Sequence, residues 1–92
     1  MDVHELEMYV CHRLKQERER LGLSQMALAY ESDVSQNMIT YIETGKRTPT
    51  LNTILKLCTA MKINPSVLFP QNTDLSKDDI KRTIIELINQ YM

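Results

Sequence analysis

The chain has 92 residues, of which 42% are hydrophobic and 25% charged, and its formal net charge is −1. This length and composition predict one domain with a modest core and exclude a disordered chain. No apolar run of about eighteen residues and no signal-peptide pattern is present, so we expect a cytoplasmic protein. The net charge of −1 gives the chain no general attraction to nucleic acid.

The first two predicted helices are separated by a short turn. Helical spacing of apolar residues predicts the first helix, on the stripe Val3, Leu6, Val10, Leu14 and Leu21. Gly22 is then expected to close this helix in a left-handed conformation. Ser24 is a typical N-cap for a short second helix, QMALAYE, whose inward-facing residues should be Leu28 and Ala29.

A third helix is predicted over QNMITYIET, with Ser35 as its N-cap and Gly45 at its end. Ile39 and Ile42 should face the core, and Val34 should pack at the entrance of the helix. The following KRTP segment is predicted to be a loop.

Two further helices are predicted before residue 70. Thr50 should cap the fourth, which carries the apolar series Leu51, Ile54, Cys58 and Met61. Asn64 followed by Pro65 is typical of an N-cap and first helical position, and it predicts a short fifth helix, PSVLF, that ends at Pro70.

The last twenty residues carry a separate apolar pattern. Residues 71–75 are predicted to be a connector, and Ser76 with Asp79 forms a capping-box pattern for a sixth helix. One stripe of this helix contains Ile80, Ile84, Leu87, Ile88 and Tyr91. Because no strand-like alternation is present, the predicted fold class is all-α.

The residues from 13 to 69 resemble a known family through the pattern "R…GLSQ…LA…VSQ…I…IE.GKR.P…L…L". The segment is similar to the XRE family of helix-turn-helix domains, of the lambda-repressor and Cro type. This resemblance implies a five-helix DNA-binding bundle over residues 1–70, with the helix-turn-helix at about 24–44, followed by the connector and amphipathic helix at 71–92. It also implies a sequence-specific transcriptional regulator that binds double-stranded DNA. No Ser/His/Asp or Cys/His constellation and no glycine-rich loop is evident in the sequence, so we expect no enzymatic activity, and we expect no cofactor or metal.

The third predicted helix carries the candidate base contacts. Its side opposite Ile39 and Ile42 presents the polar residues Gln36, Asn37, Thr40 and Tyr41. Gln and Asn are suited to bidentate contact with adenine in the major groove. The resemblance places base contacts at the positions of Gln36, Asn37 and Tyr41, and solvated polar side chains are the alternative interpretation.

Candidate contacts to the DNA backbone lie at two helix N-termini and in one loop. Such N-termini present free backbone N–H groups to phosphate, and the resemblance places the phosphate contacts of the family in the loop after the third helix. The candidates are Ser24, Gln25, Ser35, Lys46, Arg47 and Thr48. For the loop residues, the alternative is charge exposed to solvent.

Three more features follow from comparison with the family pattern. The resemblance implies a salt bridge between Arg18 and Glu43, which would orient the third helix. The alternative is two independent surface charges. Asp33 and Lys62 occupy positions where the family commonly has glycine, so each should either adopt a left-handed conformation at some energetic cost or use another turn.

A metal site is the competing interpretation of the first helix. His4, Met8 and His12 share one helix face, with Cys11 nearby, but a fourth ligand of the kind that zinc sites need is missing. Solvated histidines are the simpler interpretation. Cys11 and Cys58 lie in helical patterns, and we expect both to be reduced thiols in the core.

The apolar stripe of the sixth helix allows two structures and two functions. The helix could fold back on its own core, or it could form a homodimer that reads a near-palindromic operator and represses by occupying it. The functional alternative is an antitoxin or protein-interaction module that binds a partner protein, with or without DNA binding.

Overall fold

The structure is a computed structural model that describes residues 1–71. This part of the chain contains four α-helices, α1 (Val3–Arg20), α2 (Gln25–Ser32), α3 (Gln36–Glu43) and α4 (Leu51–Met61), and a 3₁₀ turn at Pro65–Leu68. It contains no strand, which confirms the all-helical prediction for these residues. The predicted C-terminal helix and its dimerisation stripe lie outside the described residues, with Ile80, Ile84, Leu87, Ile88 and Tyr91.

Each α-helix begins at a side-chain N-cap. Ser24 Oγ accepts a hydrogen bond from the N–H of Ala27, Ser35 Oγ from Met38, and Thr50 Oγ1 from Thr53. Asp2 caps α1 in the same way through the N–H of Glu5. These bonds satisfy N–H groups that lack a partner in the first turn of a helix. The predicted starts of α2, α3 and α4 are therefore confirmed.

Gly22 reverses the chain after α1 in the predicted left-handed conformation, with φ +72°. The N–H of Leu23 donates to the carbonyl of Arg18, and the N–H of Gly22 donates to that of Glu19. This pair of bonds is the Schellman motif, which satisfies the last carbonyls of a helix. The turn places Ser24 at the start of α2 immediately afterwards.

Asp33 and Lys62 both take the left-handed conformation, with φ 60° and 56°. Asp33 ends α2 and its N–H donates to the carbonyl of Ala29. Lys62 ends α4, where the N–H of Ile63 donates to the carbonyl of Cys58. Both residues therefore use the turn that glycine favours, and both keep the helix-ending hydrogen bonds.

One apolar core joins the four helices and the 3₁₀ turn. α2 packs against α3 and α4, and α1 packs against α3 and the 3₁₀ turn. The buried apolar residues are Val10, Cys11, Leu14, Leu28, Val34, Ile39, Ile42, Leu57, Cys58, Met61 and Leu68. The inward orientations predicted for Leu28, Val34, Ile39 and Ile42 are confirmed.

Three members of the predicted apolar stripes are exposed instead, namely Val3, Leu21 and Leu51. Val3 lies in the first turn of α1, whose neighbours Asp2, His4 and Glu5 are also exposed. This turn extends beyond the elements that cover the rest of α1 within residues 1–71. Leu21 and Leu51 flank helix ends in the same way, whereas Leu57, which was not part of the predicted stripe of α4, is buried.

The predicted fifth helix is a single 3₁₀ turn and not an α-helix. Asn64 caps it through the N–H of Ser66, and Pro65 occupies its first position. Nε and Nη2 of Arg13 donate to the carbonyl of Val67 at 3.3 and 3.2 Å. The segment is too short for regular i to i+4 bonding, and its C-terminal carbonyl is satisfied by α1.

Both cysteines are buried free thiols, as predicted. Burial raises the pKa of Cys58 to about 11, and burial together with the nearby Glu7 carboxylate raises that of Cys11. Within residues 1–71, no three His, Cys, Asp or Glu side chains lie close enough to hold a metal ion. None of the helices in this part of the chain combines the length and apolarity that crossing a membrane requires.

Candidate nucleic-acid interface

α3 is anchored on one side and open on the other. Ile39 and Ile42 are each only 1% exposed and fix the buried side of the helix. Gln36 and Asn37 are exposed in the first turn of α3, and Tyr41 is 40% exposed one turn further along. The open side therefore presents two amides and a phenol, all of which can form hydrogen bonds with a ligand in a groove.

Two helix N-termini flank this open side. Ser24 caps α2 and Ser35 caps α3, and both serine side chains are exposed. The first-turn N–H groups and the positive end of the helix dipole favour an anion at such a position. The packing of α2 against α3 brings both helices into one unit.

The loop after α3 is held against the helix by its backbone. The N–H groups of Lys46 and Arg47 both donate to the carbonyl of Tyr41, at 2.8 and 3.2 Å. The guanidinium carbon of Arg47 lies 5.8 Å from the centroid of the Tyr41 ring, a cation–π arrangement. Lys46, Arg47 and Thr48 are all exposed, so their side chains can reach a polyanion beside α3.

A hydrogen-bonded network orients α3 relative to α1 and α2. Arg18 Nε donates to Glu43 Oε2 at 2.7 Å and Arg18 Nη2 donates to Glu43 Oε1 at 3.0 Å. The side chains of Arg18 and Glu43 are 11% and 4% exposed. The hydrogen bonds that Arg18 donates to Glu43, together with the negative charge of that carboxylate, raise the pKa of Arg18 against the opposing effect of burial.

The same network contains two of the candidate contact residues. Gln25 Nε2 donates to Glu43 Oε1 at 3.0 Å, and the Thr40 hydroxyl donates to Gln25 Oε1 at 2.9 Å. Gln25 and Thr40 are therefore half-buried and engaged within the protein, unlike the exposed Gln36 and Asn37. Sequence reasoning missed these two bonds, although Thr40 and Glu43 lie three residues apart and so share one face of α3.

The electrostatic balance of this surface is less acidic than the sequence of residues 24–48 suggests. Glu43 faces Arg18 inside the protein, so its charge is compensated there. Glu31 and Asp33 remain exposed at the end of α2, and Lys46 and Arg47 are exposed after α3. The exposed charges of the loop that is held against α3 are therefore both basic.

A protein-family model described as helix-turn-helix matches residues 14–68. The chain belongs to the helix-turn-helix family. Its members of the XRE type, which include the lambda-repressor and Cro domains, are DNA-binding transcriptional regulators, and this protein is one of them. The matched residues include the N-termini of α2 and α3, the basic loop after α3 and the Arg18–Glu43 network.

A solved structure with a similar fold is that of the restriction-modification controller protein C.AhdI from Aeromonas hydrophila. It shares 38% sequence identity with this chain and superposes with a TM-score of 0.65. The match covers 71% of this chain and 97% of the controller protein. A search of curated protein sequences finds no match.

The helix-turn-helix of this protein consists of α2 and α3, joined by the turn at Asp33 and Val34. The left-handed Asp33 ends α2, the buried Val34 enters the core, and Ser35 begins α3. A glycine at the corner is therefore not required for this joint, because aspartate reaches the same backbone conformation. The exposed polar residues then lie at the N-terminal end of the second helix of the motif.

Proposed function

We propose that the protein is a sequence-specific regulator that places α3 in the major groove of double-stranded DNA. The observation that carries this proposal is the exposed pair Gln36 and Asn37 in the first turn of α3, on a helix whose other side is fixed by Ile39 and Ile42. The N-terminal end of such a helix comes closest to the base edges. Glutamine and asparagine can each form two hydrogen bonds with adenine there.

The remaining contacts divide into two groups by the chemistry of their side chains. Thr40 and Tyr41 lie further along the open side of α3 and complete the proposed base contacts. The proposed contacts to the phosphate backbone come from the two capping regions and the loop, with Ser24, Gln25, Ser35, Lys46, Arg47 and Thr48. Backbone contacts fix the register of the protein on DNA, whereas base contacts specify the sequence.

We further propose that the protein acts as a homodimer and represses by occupying a near-palindromic operator. A single helix-turn-helix reads one half-site, and a two-fold dimer reads two half-sites about one helical turn apart. The apolar stripe predicted from Ile80 to Tyr91 supplies a candidate dimerisation element. The similarity to a restriction-modification controller protein supports a regulatory role for a chain of this size.

Selection from random duplex DNA, combined with light scattering, tests this proposal. We expect enrichment of a palindromic sequence and a scattering mass of two chains. Gln36→Ala and Asn37→Ala should then each lower affinity for the selected duplex by about five- to hundredfold. Gln16→Ala is the matched control, because Gln16 is an exposed glutamine beside Tyr9 and Phe69, on the side of α1 near the 3₁₀ turn.

An interaction with a partner protein is the second candidate function. Two large apolar side chains on α2, Met26 and Tyr30, are 67% and 86% exposed and lie one helical turn apart. Exposed apolar side chains of this size are common where proteins bind one another. Failure of the selection to enrich any duplex, with co-purification of a second protein, would favour this function over DNA binding.

A further inference from the structure

The direction of each hydrogen bond around Gln25 is fixed by chemistry. Glu43, ion-paired with Arg18, presents carboxylate oxygens that only accept hydrogen bonds. The atom of Gln25 that lies 3.0 Å from Glu43 Oε1 must therefore belong to its NH₂ group. This orientation turns the carbonyl oxygen of Gln25 towards Thr40, 2.9 Å from the hydroxyl oxygen.

The single hydroxyl hydrogen of Thr40 is donated inside the protein. A carbonyl oxygen cannot donate, so the Thr40 hydroxyl must donate to Gln25 Oε1. The other polar atom within reach is the carbonyl oxygen of Gln36, 3.1 Å away, which also only accepts. Both internal partners are acceptors, so the single hydroxyl hydrogen is donated within the protein. Only a lone pair of the hydroxyl oxygen is left for an external group.

We propose that Thr40 reads DNA only as a hydrogen-bond acceptor. It would then select adenine or cytosine, whose exocyclic N6 and N4 amines donate in the major groove, over guanine or thymine on the strand that it faces. Phosphate oxygens only accept, so Thr40 does not bind the backbone. Gln25 and Glu43 are positioning residues, because they act on the base through the hydroxyl of Thr40. This inference rests on the proposed function.

The acceptor-only role of Thr40 comes from the surrounding network and not from threonine itself. A threonine hydroxyl can normally donate or accept and so contacts any base. Here the charge of Arg18 fixes Glu43, Glu43 fixes the amide of Gln25, and the amide fixes the hydroxyl. The chain of bonds joins α1, α2 and α3, so the preference for one base arises from the packing of three helices.

The first experiment compares base preference at every position of one half-site. Wild type, Thr40→Val and Thr40→Ser are titrated with the selected duplex and with all of its single base-pair substitutions. Wild type should prefer adenine or cytosine by about fivefold or more at one position. Thr40→Val, which lacks the hydroxyl at nearly the same volume, should lose that preference alone, and Thr40→Ser should keep it.

The inference is overturned if Thr40→Val leaves every base preference unchanged. It is also overturned if the lost preference is for guanine or thymine, because the hydroxyl would then be donating. Thermal unfolding of the free variants separates these outcomes from a loss of folding, since a folding defect lowers affinity for all duplexes alike.

The second experiment tests Gln25 as a positioning residue through Gln25→Met, which keeps the length of the side chain and removes the amide. We expect the base preference to weaken at the same position as in Thr40→Val, but by less, because the carbonyl oxygen of Gln36 still accepts the hydroxyl hydrogen. A uniform loss of affinity over all duplexes, with every base preference kept, would mean that Gln25 acts on DNA only through the phosphate backbone and would overturn its positioning role. Gln16→Met is the matched control.

A measurement on the free protein tests the network without DNA. The Thr40 hydroxyl proton should exchange slowly enough to give an NMR resonance with a nuclear Overhauser effect to the Gln25 side chain, and Gln25→Met should abolish it. Absence of this resonance in the wild type overturns the network. If wild type binds no duplex in a salt-dependent manner, the proposed function fails. If it binds with no preference attributable to Thr40, only this inference fails.

Discussion

Arg18 and Glu43 connect the last turn of α1 to the last residue of α3 by two parallel hydrogen bonds of 2.7 and 3.0 Å. The third donor of the guanidinium, Nη1, bonds the carbonyl of Leu23 at 2.7 Å. Arg18 therefore binds α3 and the turn before α2 at once. A planar guanidinium suits this arrangement because its N–H groups diverge in one plane.

Replacing Arg18 by methionine should lower both stability and DNA affinity. The change leaves the carboxylate of Glu43 nearly buried without a compensating charge, which typically costs about 3 kcal/mol. Urea unfolding measures the loss of stability, and titration with duplex DNA measures the loss of affinity. Lys56→Met is a matched control, because Lys56 is exposed on α4 and forms no ion pair within residues 1–71. Unchanged stability and affinity in Arg18→Met would contradict the orienting role.

The left-handed residues Asp33 and Lys62 predict two stabilising substitutions. Glycine adopts this conformation without a steric cost, so Lys62→Gly should raise the free energy of unfolding by about 1 kcal/mol. Asp33→Gly should raise it by less, because aspartate tolerates the conformation better than lysine. Denaturant unfolding of the two variants measures the effects, and DNA binding should persist in Asp33→Gly.

Two glycines provide the opposite comparison for these left-handed sites. Gly22 and Gly45 have φ values of +72° and +75°, so an alanine at either position should be destabilising. The loss should be larger for Gly45→Ala, whose new Cβ would lie 3.1 Å from the Met8 sulfur, than for Gly22→Ala, where nothing lies within 4 Å. A lower free energy of unfolding in Asp33→Gly would contradict the expectation that the left-handed conformation of Asp33 costs stability.

Glu17 predicts a dependence of stability on pH. Its carboxylate accepts a hydrogen bond of 2.8 Å from Arg20 Nε, and Arg13 Nη2 lies 3.8 Å away. The hydrogen bond from Arg20 lowers the pKa of Glu17 below its ordinary value of 4.5, since it outweighs the effect of burial. Because the pKa is lower in the folded state, the stabilisation is present above pH 4.5 and is lost as the pH falls through the folded pKa.

Glu17→Gln tests this dependence by removing the titrating group. Wild type should be more stable than the variant at pH 7, by on the order of 0.5 kcal/mol, because the exposure of Arg20 screens the ion pair. The difference should shrink below pH 4.5 in unfolding experiments at successive pH values. Glu19→Gln is the control, since Glu19 is exposed on the same helix. A difference that is constant from pH 7 to pH 3 would exclude an electrostatic origin.

Arg47 and Lys46 predict the salt dependence of DNA binding. If each contacts one phosphate, Arg47→Gln and Lys46→Gln should each reduce the slope of log affinity against log salt by about 0.9. Affinity should fall by a similar factor for the selected duplex and for unrelated duplexes, because phosphate contacts carry no sequence information. Lys56→Gln controls for the loss of one positive charge. Equal slopes for wild type and Arg47→Gln would show that Arg47 remains in solvent.

The amino-acid sequence by itself determined the starts of α2, α3 and α4 and the end of α1. Ser24, Ser35 and Thr50 cap through bonds to the third residue beyond them, and Gly22 reverses the chain within two residues. These interactions depend on neighbours in the chain, so a short sequence pattern specifies them. The family pattern, in addition to this local chemistry, identified Arg18 and Glu43 as a pair.

The tertiary structure alone decided which members of the predicted apolar stripes stay exposed, and which polar groups other than Arg18 and Glu43 meet between elements. Val3 and Leu51 follow helical spacing but remain exposed, because periodicity predicts one face of a helix and not how far the neighbouring elements extend. The bond from Thr40 to Gln25 spans 15 residues, and that from Arg13 to Val67 spans 54. Such contacts depend on the distance and angle between packed helices, which are properties of the assembled core and not of any local segment.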